Sequence, residues 1–148
     1  MPNTAEEIME AKKVRDSRLD TLSIVVMFYT VITGVSFIFL NGQEIANQLT
    51  YERMTELTSI KVWGIIFIAN AILHLIAVIV EYRRLQYIFF AIAGITGLVL
   101  FVLYTVASFD TTVYKINAFR YLLFAGINLT IALKGAIAWK QEKTLSQS

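Results

Sequence analysis

The chain has 148 residues, of which 57% are hydrophobic and 16% charged, and its formal net charge is +2. Its mean hydropathy of +0.63 is too high for a soluble domain of this length. The small, scattered net charge argues against nucleic-acid binding, and the lack of cysteine excludes disulfides, thiol catalysis and cysteine-based metal sites.

The first 20 residues carry many charges of both signs. Mixed charge on a helix usually marks a solvated face, so we predict a charged cytoplasmic helix at 1–20 that continues into the apolar segment behind it. A docking site for a partner protein is the alternative for this segment.

Four apolar blocks follow, at 21–40, 60–80, 85–107 and 117–139. A hydrocarbon core of about 30 Å requires roughly 20 helical residues, and each block is long enough to cross it. We therefore predict an all-α fold in which 21–148 forms an integral membrane four-helix bundle with antiparallel up-down topology. A loop at 41–59, with a short helix lying on the bilayer, and a short tail at 140–148 complete this domain.

The basic residues predict the orientation of the bundle. Nine Lys and Arg side chains lie near one membrane face and four near the other, which places both termini in the cytoplasm of a multi-pass protein of the cell membrane. Aromatic and long basic side chains near the ends of the spans are expected to anchor it at the interface. These predicted anchors are Trp63, Arg83, Arg84, Arg120, Lys134 and Trp139.

A polar residue lies near the midpoint of every span, as counted from a rise of about 1.5 Å per residue. Because unpaired polar groups are costly in hydrocarbon, these residues should face one another or water. The predicted polar layer, or candidate pore lining, comprises Tyr29, Thr30, Asn70, His74, Thr96 and Asn128. In the second span Trp63, Asn70 and His74 share one stripe, at spacings of seven and four residues.

Small residues four apart predict close approach of helices. Such pairs occur in three spans, as Thr30-x-x-x-Gly34, Ala93-x-x-x-Gly97 and Gly126-x-x-x-Thr130.

The sequence predicts no enzyme and no cofactor. It contains no HExxH, Gly-rich phosphate loop or Gly-x-Ser-x-Gly motif, its acidic residues avoid the middle of the spans, and one histidine is poor evidence for a metal. We expect the layer to hold the helices together in a membrane subunit that associates with itself or with another membrane protein. The alternatives are an oligomeric pore, in which His74 would respond to protons, and a small-solute or ion transporter.

The layout resembles that of small four-span membrane proteins of phage and prophage genomes. The residues that carry this resemblance are the segment "LTYERMTELTSIKVWGIIFI" at 49–68, with its Trp63-Gly64 pair, and the charged tail "KQEKTLSQS". The resemblance implies a holin-like pore, an antiholin or a modifier of host entry or defence, acting without catalysis.

Overall fold

The computed structural model describes residues 5–39, 49–109 and 116–145. These residues form five helices, namely α1 (Ala5–Phe39), α2 (Leu49–Leu57), α3 (Ile60–Ile79), α4 (Arg83–Phe109) and α5 (Ile116–Leu145). All except α2 are long and apolar enough to cross a membrane. The predictions of an all-α fold and of four apolar helices of spanning length are therefore confirmed.

Three of the four long helices, α1, α4 and α5, extend beyond the predicted spans. The charged segment and the first span form one continuous helix, α1, and α5 continues from the fourth span into the tail. Only three residues, 80–82, connect α3 to α4. Parts of the predicted N-terminal segment, outer loop and tail lie outside the described residues. The ranges concerned are 1–4, 40–48, 110–115 and 146–148.

The contacts between the four long helices differ in extent. The contact between α4 and α5 is the most extensive, followed by that between α1 and α3, while α1 and α5 pack only lightly. Glycines set the closest approach of α1 and α3, since a Cβ at Gly34 would lie 2.7 Å from the Gly64 carbonyl oxygen, and the converse holds. The backbones therefore touch at this crossing, as small residues allow in membrane helices.

One of the predicted close approaches is wrong. Gly126 and Thr130 share an exposed face of α5, and a Cβ at Gly126 would meet nothing within 4 Å. In contrast, Thr30, Gly34, Ala93 and Gly97 are buried. Residue size alone does not reveal which side of a helix faces its neighbours, and the pattern at Gly126 falls on the outward side.

Large apolar side chains cover the outside of the bundle, whereas polar groups lie inside it. Residues of all four long helices that are more than half exposed include Phe28, Ile32, Ile65, Ile79, Ile95, Leu123 and Leu133. Buried polar residues include Ser23, Thr30, Asn70, His74 and Asn128. A soluble monomer rarely exposes so much contiguous apolar surface, so this distribution suits a surrounding of lipid.

Candidate functional site: a buried polar network

A chain of hydrogen bonds joins three helices in the interior of the bundle. Ser23 on α1 lies 2.7 Å from His74 on α3, measured from Oγ to Nδ1. The Nε2 atom of His74 lies 3.2 Å from Oδ1 of Asn128 on α5. All three side chains are fully buried. The polar network, as we call Ser23, His74 and Asn128, thus links α1, α3 and α5 at one level.

The network fixes the tautomer of the histidine. Asn128 Nδ2 donates to the Phe124 carbonyl oxygen of its own helix at 2.8 Å, so Oδ1 is the amide atom that faces His74. This oxygen only accepts, and the proton must therefore lie on Nε2 of His74. Nδ1 then accepts from the Ser23 hydroxyl, and both ring nitrogens are satisfied within the protein.

Helix α4 has no side chain in the network, but its glycines leave room for the Asn128 side chain. Gly97 on α4 faces the Asn128 amide, and a Cβ at this position would overlap Oδ1 and Cγ of Asn128. Nearby, a Cβ at Gly94 would lie 2.6 Å from the Ala132 backbone nitrogen. The notch in α4, as we call the space left by Gly94 and Gly97, therefore lets α5 approach closely. It also holds the Asn128 side chain in its orientation toward His74.

Asn70 and Thr30 are buried as predicted but do not join the network. Asn70, one helical turn before His74, is 2% exposed, and among the described residues neither its Oδ1 nor its Nδ2 has a hydrogen-bond partner. The Thr30 hydroxyl donates to the Val26 carbonyl oxygen of its own helix at 2.6 Å. Of the interior polar residues, His74 and Asn128 thus bond between helices, whereas Thr30 bonds within one.

Thr96 lies outside the layer, contrary to the prediction. It is exposed on the outer face of α4, where its hydroxyl is satisfied by carbonyl oxygens of the same helix, those of Ile92 and Ala93. A hydroxyl satisfied in this way can face lipid without a partner on another helix. The depth of Thr96 along the span therefore did not determine its direction.

Tyr29 belongs to an aromatic cluster beside the network. This half-buried ring stacks on Phe124 at a centroid distance of 3.8 Å, and Tyr104 stacks on Tyr121 at 3.9 Å. The cluster draws rings from all four long helices, namely Tyr29, Phe37, Phe67, Phe101, Tyr104, Tyr121 and Phe124. Side chains therefore fill the interior on this side of the network.

The two tryptophans predicted as interface anchors differ in their surroundings. Trp63 is buried instead of exposed at a surface, and its indole Nε1 donates to the Met54 carbonyl oxygen of α2 at 2.9 Å. This hydrogen bond thereby links α2 to α3. Trp139 is exposed, and the Lys143 ammonium lies 5.7 Å from its ring centroid.

Among the basic residues predicted as anchors, Arg83 has a defined partner. It lies 3.4 Å from Asp16, which also accepts a 2.9 Å hydrogen bond from the Tyr87 hydroxyl and so ties α1 to α4. Arg84 is partly buried and Arg120 is exposed on α5. Lys134 is partly buried and faces a cleft between α5 and α1.

Sequence reasoning missed Ser23. This residue lies seven positions before Thr30, the same spacing that separates Trp63 from Asn70, so a search for buried stripes on α1 would have found it. Apart from this spacing, a lone serine away from the midpoint of a span has nothing in the sequence that indicates a buried partner.

Within the described residues, no group of three His, Cys, Asp or Glu side chains could hold a metal ion. Comparisons with family models, with curated proteins and with solved structures give no match for this chain. Its arrangement consists of interhelical hydrogen bonds, close glycine contacts and stacked rings, and these are the means by which membrane helices are held in register.

Proposed function

We propose that this chain is a non-enzymatic multi-pass membrane protein, an antiparallel four-helix bundle that serves as a self-associating or partner-binding membrane subunit. The observation that carries the proposal is the polar network, which joins three helices and leaves no ring nitrogen of His74 for other chemistry. Such bonds fix helix register, at roughly 0.6–2 kcal/mol each.

The contacts between helices support the antiparallel topology. Ser23 on α1 meets His74 on α3, whereas the later Phe37 meets Phe67, which precedes His74 in its helix. Between α4 and α5 the stacked rings follow the same rule, because successive rings of α4 meet rings that lie successively earlier in α5. With an even number of spans, the excess of basic residues puts both termini in the cytoplasm of the cell.

Burial of the polar groups favours a packing role over a water-filled path through a single bundle. His74 is 0% exposed and Asn70 is 2% exposed, and aromatic rings fill the adjoining interior. The alternative, an oligomeric or holin-like pore, would place its path between copies of the chain, and it is therefore an outcome of the experiment below.

The experiment compares wild-type protein with His74→Leu, in detergent and in dye-loaded liposomes. Leucine removes both interhelical bonds and leaves the Asn128 oxygen buried without a donor, so the free energy of unfolding should fall by about 1–2 kcal/mol. Thr96→Val is the matched control, since its hydroxyl bonds only within α4, and its melting temperature should stay near that of the wild type. Neither wild type nor variant should release dye.

Two results would contradict the proposal. Unchanged stability of His74→Leu would show that the network does not hold the helices together. Dye release by the wild-type protein, altered in His74→Leu at unchanged stability, would instead support the pore.

A further inference from the structure

A cleft lies between α1 and α5, two long helices that pack only lightly against each other. Its volume is about 290 Å³, and its lining consists of Ser17, Arg18, Thr21, Leu22 and Lys134. The α1–α5 cleft, as we call these five residues, therefore brings two cations from different helices together with two hydroxyls and one apolar side chain.

The two aspartates of α1 nearest this cleft are engaged by α4. Asp16 is engaged by Arg83 and Tyr87 of α4, and Asp20 accepts a 3.4 Å hydrogen bond from Gln86 of the same helix. These two carboxylates are thus bound by side chains of α4 and not by the cations of the cleft. Among the described side chains, no carboxylate is paired with either cation of the cleft.

The hydroxyl groups of the cleft differ in what they can offer an anion. The Thr21 hydroxyl donates to the Ser17 carbonyl oxygen at 2.8 Å, so its proton is already used. The exposed Ser17 hydroxyl, the Arg18 guanidinium and the Lys134 ammonium are the donors that a ligand can reach. Three donors of this kind suit the oxygens of a phosphate group.

The cleft lies where α1 changes from a charged to an apolar sequence. Arg18 belongs to the charged part of α1, whereas from Thr21 onward the described part of this helix carries no charged residue. Leu22 forms the apolar end of the lining, and Lys134 reaches the cleft from an apolar stretch of α5. A ligand here would have its charge beside the cations and its hydrocarbon beside the apolar surface.

We infer that this cleft binds the phosphate headgroup of an anionic glycerophospholipid from the inner leaflet. Basic pockets between membrane helices on the cytoplasmic side recognise such headgroups. This inference rests on the membrane placement under the proposed function, but it adds a specific ligand site that the polar network neither contains nor requires.

Native mass spectrometry of the full chain in detergent tests the inference, with short-chain phosphatidylglycerol and phosphatidylcholine as probes. The wild type should bind phosphatidylglycerol more tightly. Arg18→Gln and Lys134→Gln should each weaken this binding about fivefold, and the double variant about 30-fold, from about 1 kcal/mol per cation. The double variant Lys13→Gln/Lys140→Gln is the matched control, because it removes two exposed cations from the same two helices.

Three results would overturn the inference. These are equal affinity of the wild type for both lipids, equal loss in the control variant, and binding of free glycerol phosphate as tight as that of phosphatidylglycerol. The melting temperature of the double variant in lipid-free detergent and its retention in carbonate-washed membranes should remain those of the wild type. If the wild type itself washes out of membranes, the proposed function fails; if only the lipid preference is missing, the inference alone fails.

Discussion

At the scale of single residues, two polar side chains one helical turn apart have different consequences. His74 bonds to two other helices, whereas the Asn70 amide is buried with no hydrogen-bond partner among the described residues. Removing a polar group that has a buried partner costs free energy, but replacing one that has no partner can be neutral or favourable. The sequence pattern predicts the same place in the polar layer for both residues. They differ in their hydrogen-bond partners, which only the structure shows.

We therefore predict that Asn70→Leu leaves the melting temperature unchanged or raises it, in contrast to His74→Leu. Leucine has a similar size, fits the apolar interior and relieves an unpaired amide, a gain of up to about 1–3 kcal/mol. Differential scanning fluorimetry of the purified variants measures this. A clear drop in melting temperature for Asn70→Leu would show that the amide has a bonding partner after all.

The burial of the predicted polar residues was predictable in part. Counting from the ends of the apolar blocks placed Thr30, Asn70, His74 and Asn128 in the interior, where the structure has them. Thr96 lies on the outer face, where its own helix satisfies its hydroxyl, whereas Thr30 is bonded in the same way and is buried. Imidazole and amide groups have atoms that the helix backbone cannot all satisfy, so their burial inside the bundle is easier to anticipate from sequence than that of a hydroxyl.

At the scale of elements, glycines decide how closely the helices approach. Gly97 makes room for the Asn128 amide at the contact of α4 with α5, whereas Gly126 lies on the outer face of α5 with open space around it. Both are helical glycines, so they share the same intrinsic cost relative to alanine. Their difference lies entirely in what surrounds them, which the sequence does not reveal.

Gly97→Ala and Gly126→Ala should therefore shift stability in opposite directions. The new methyl group at Gly97 displaces Asn128 from His74, and we expect a loss of about 1–3 kcal/mol from overpacking. The methyl group at Gly126 meets nothing and should raise helix stability by up to about 1 kcal/mol. Denaturant unfolding in one detergent compares the pair, and equal effects of the two changes would refute this account of the helix contact.

At the scale of the whole molecule, apolar residues are outside and the polar network is inside. Four apolar helices and their basic flanks were predictable, because lipid imposes length and composition on each span independently of its neighbours. Which helices pack against each other was not predictable, because this depends on which face of each helix carries the close contacts. The continuation of α1 from its charged segment into the first span followed from the lack of any helix-breaking residue between them.

Because the chain has no cysteine, single cysteines can report its orientation without a background. Ser59 is exposed just before α3 and its side chain makes no capping hydrogen bond, while Thr144 is exposed near the end of α5. In intact cells a membrane-impermeant maleimide should label Ser59→Cys but not Thr144→Cys, which should react only after permeabilisation. The reverse pattern would place both termini outside the cell.

The position of Asn128 on the last helix has a consequence for biosynthesis. Chains are made from the N-terminus, so His74 is synthesised before its partner on α5. Until then Nε2 of His74 and the notch at Gly97 remain unfilled, and a chain truncated before α5 keeps both. Completion of the network therefore has to await α5, the helix that supplies the Asn128 amide.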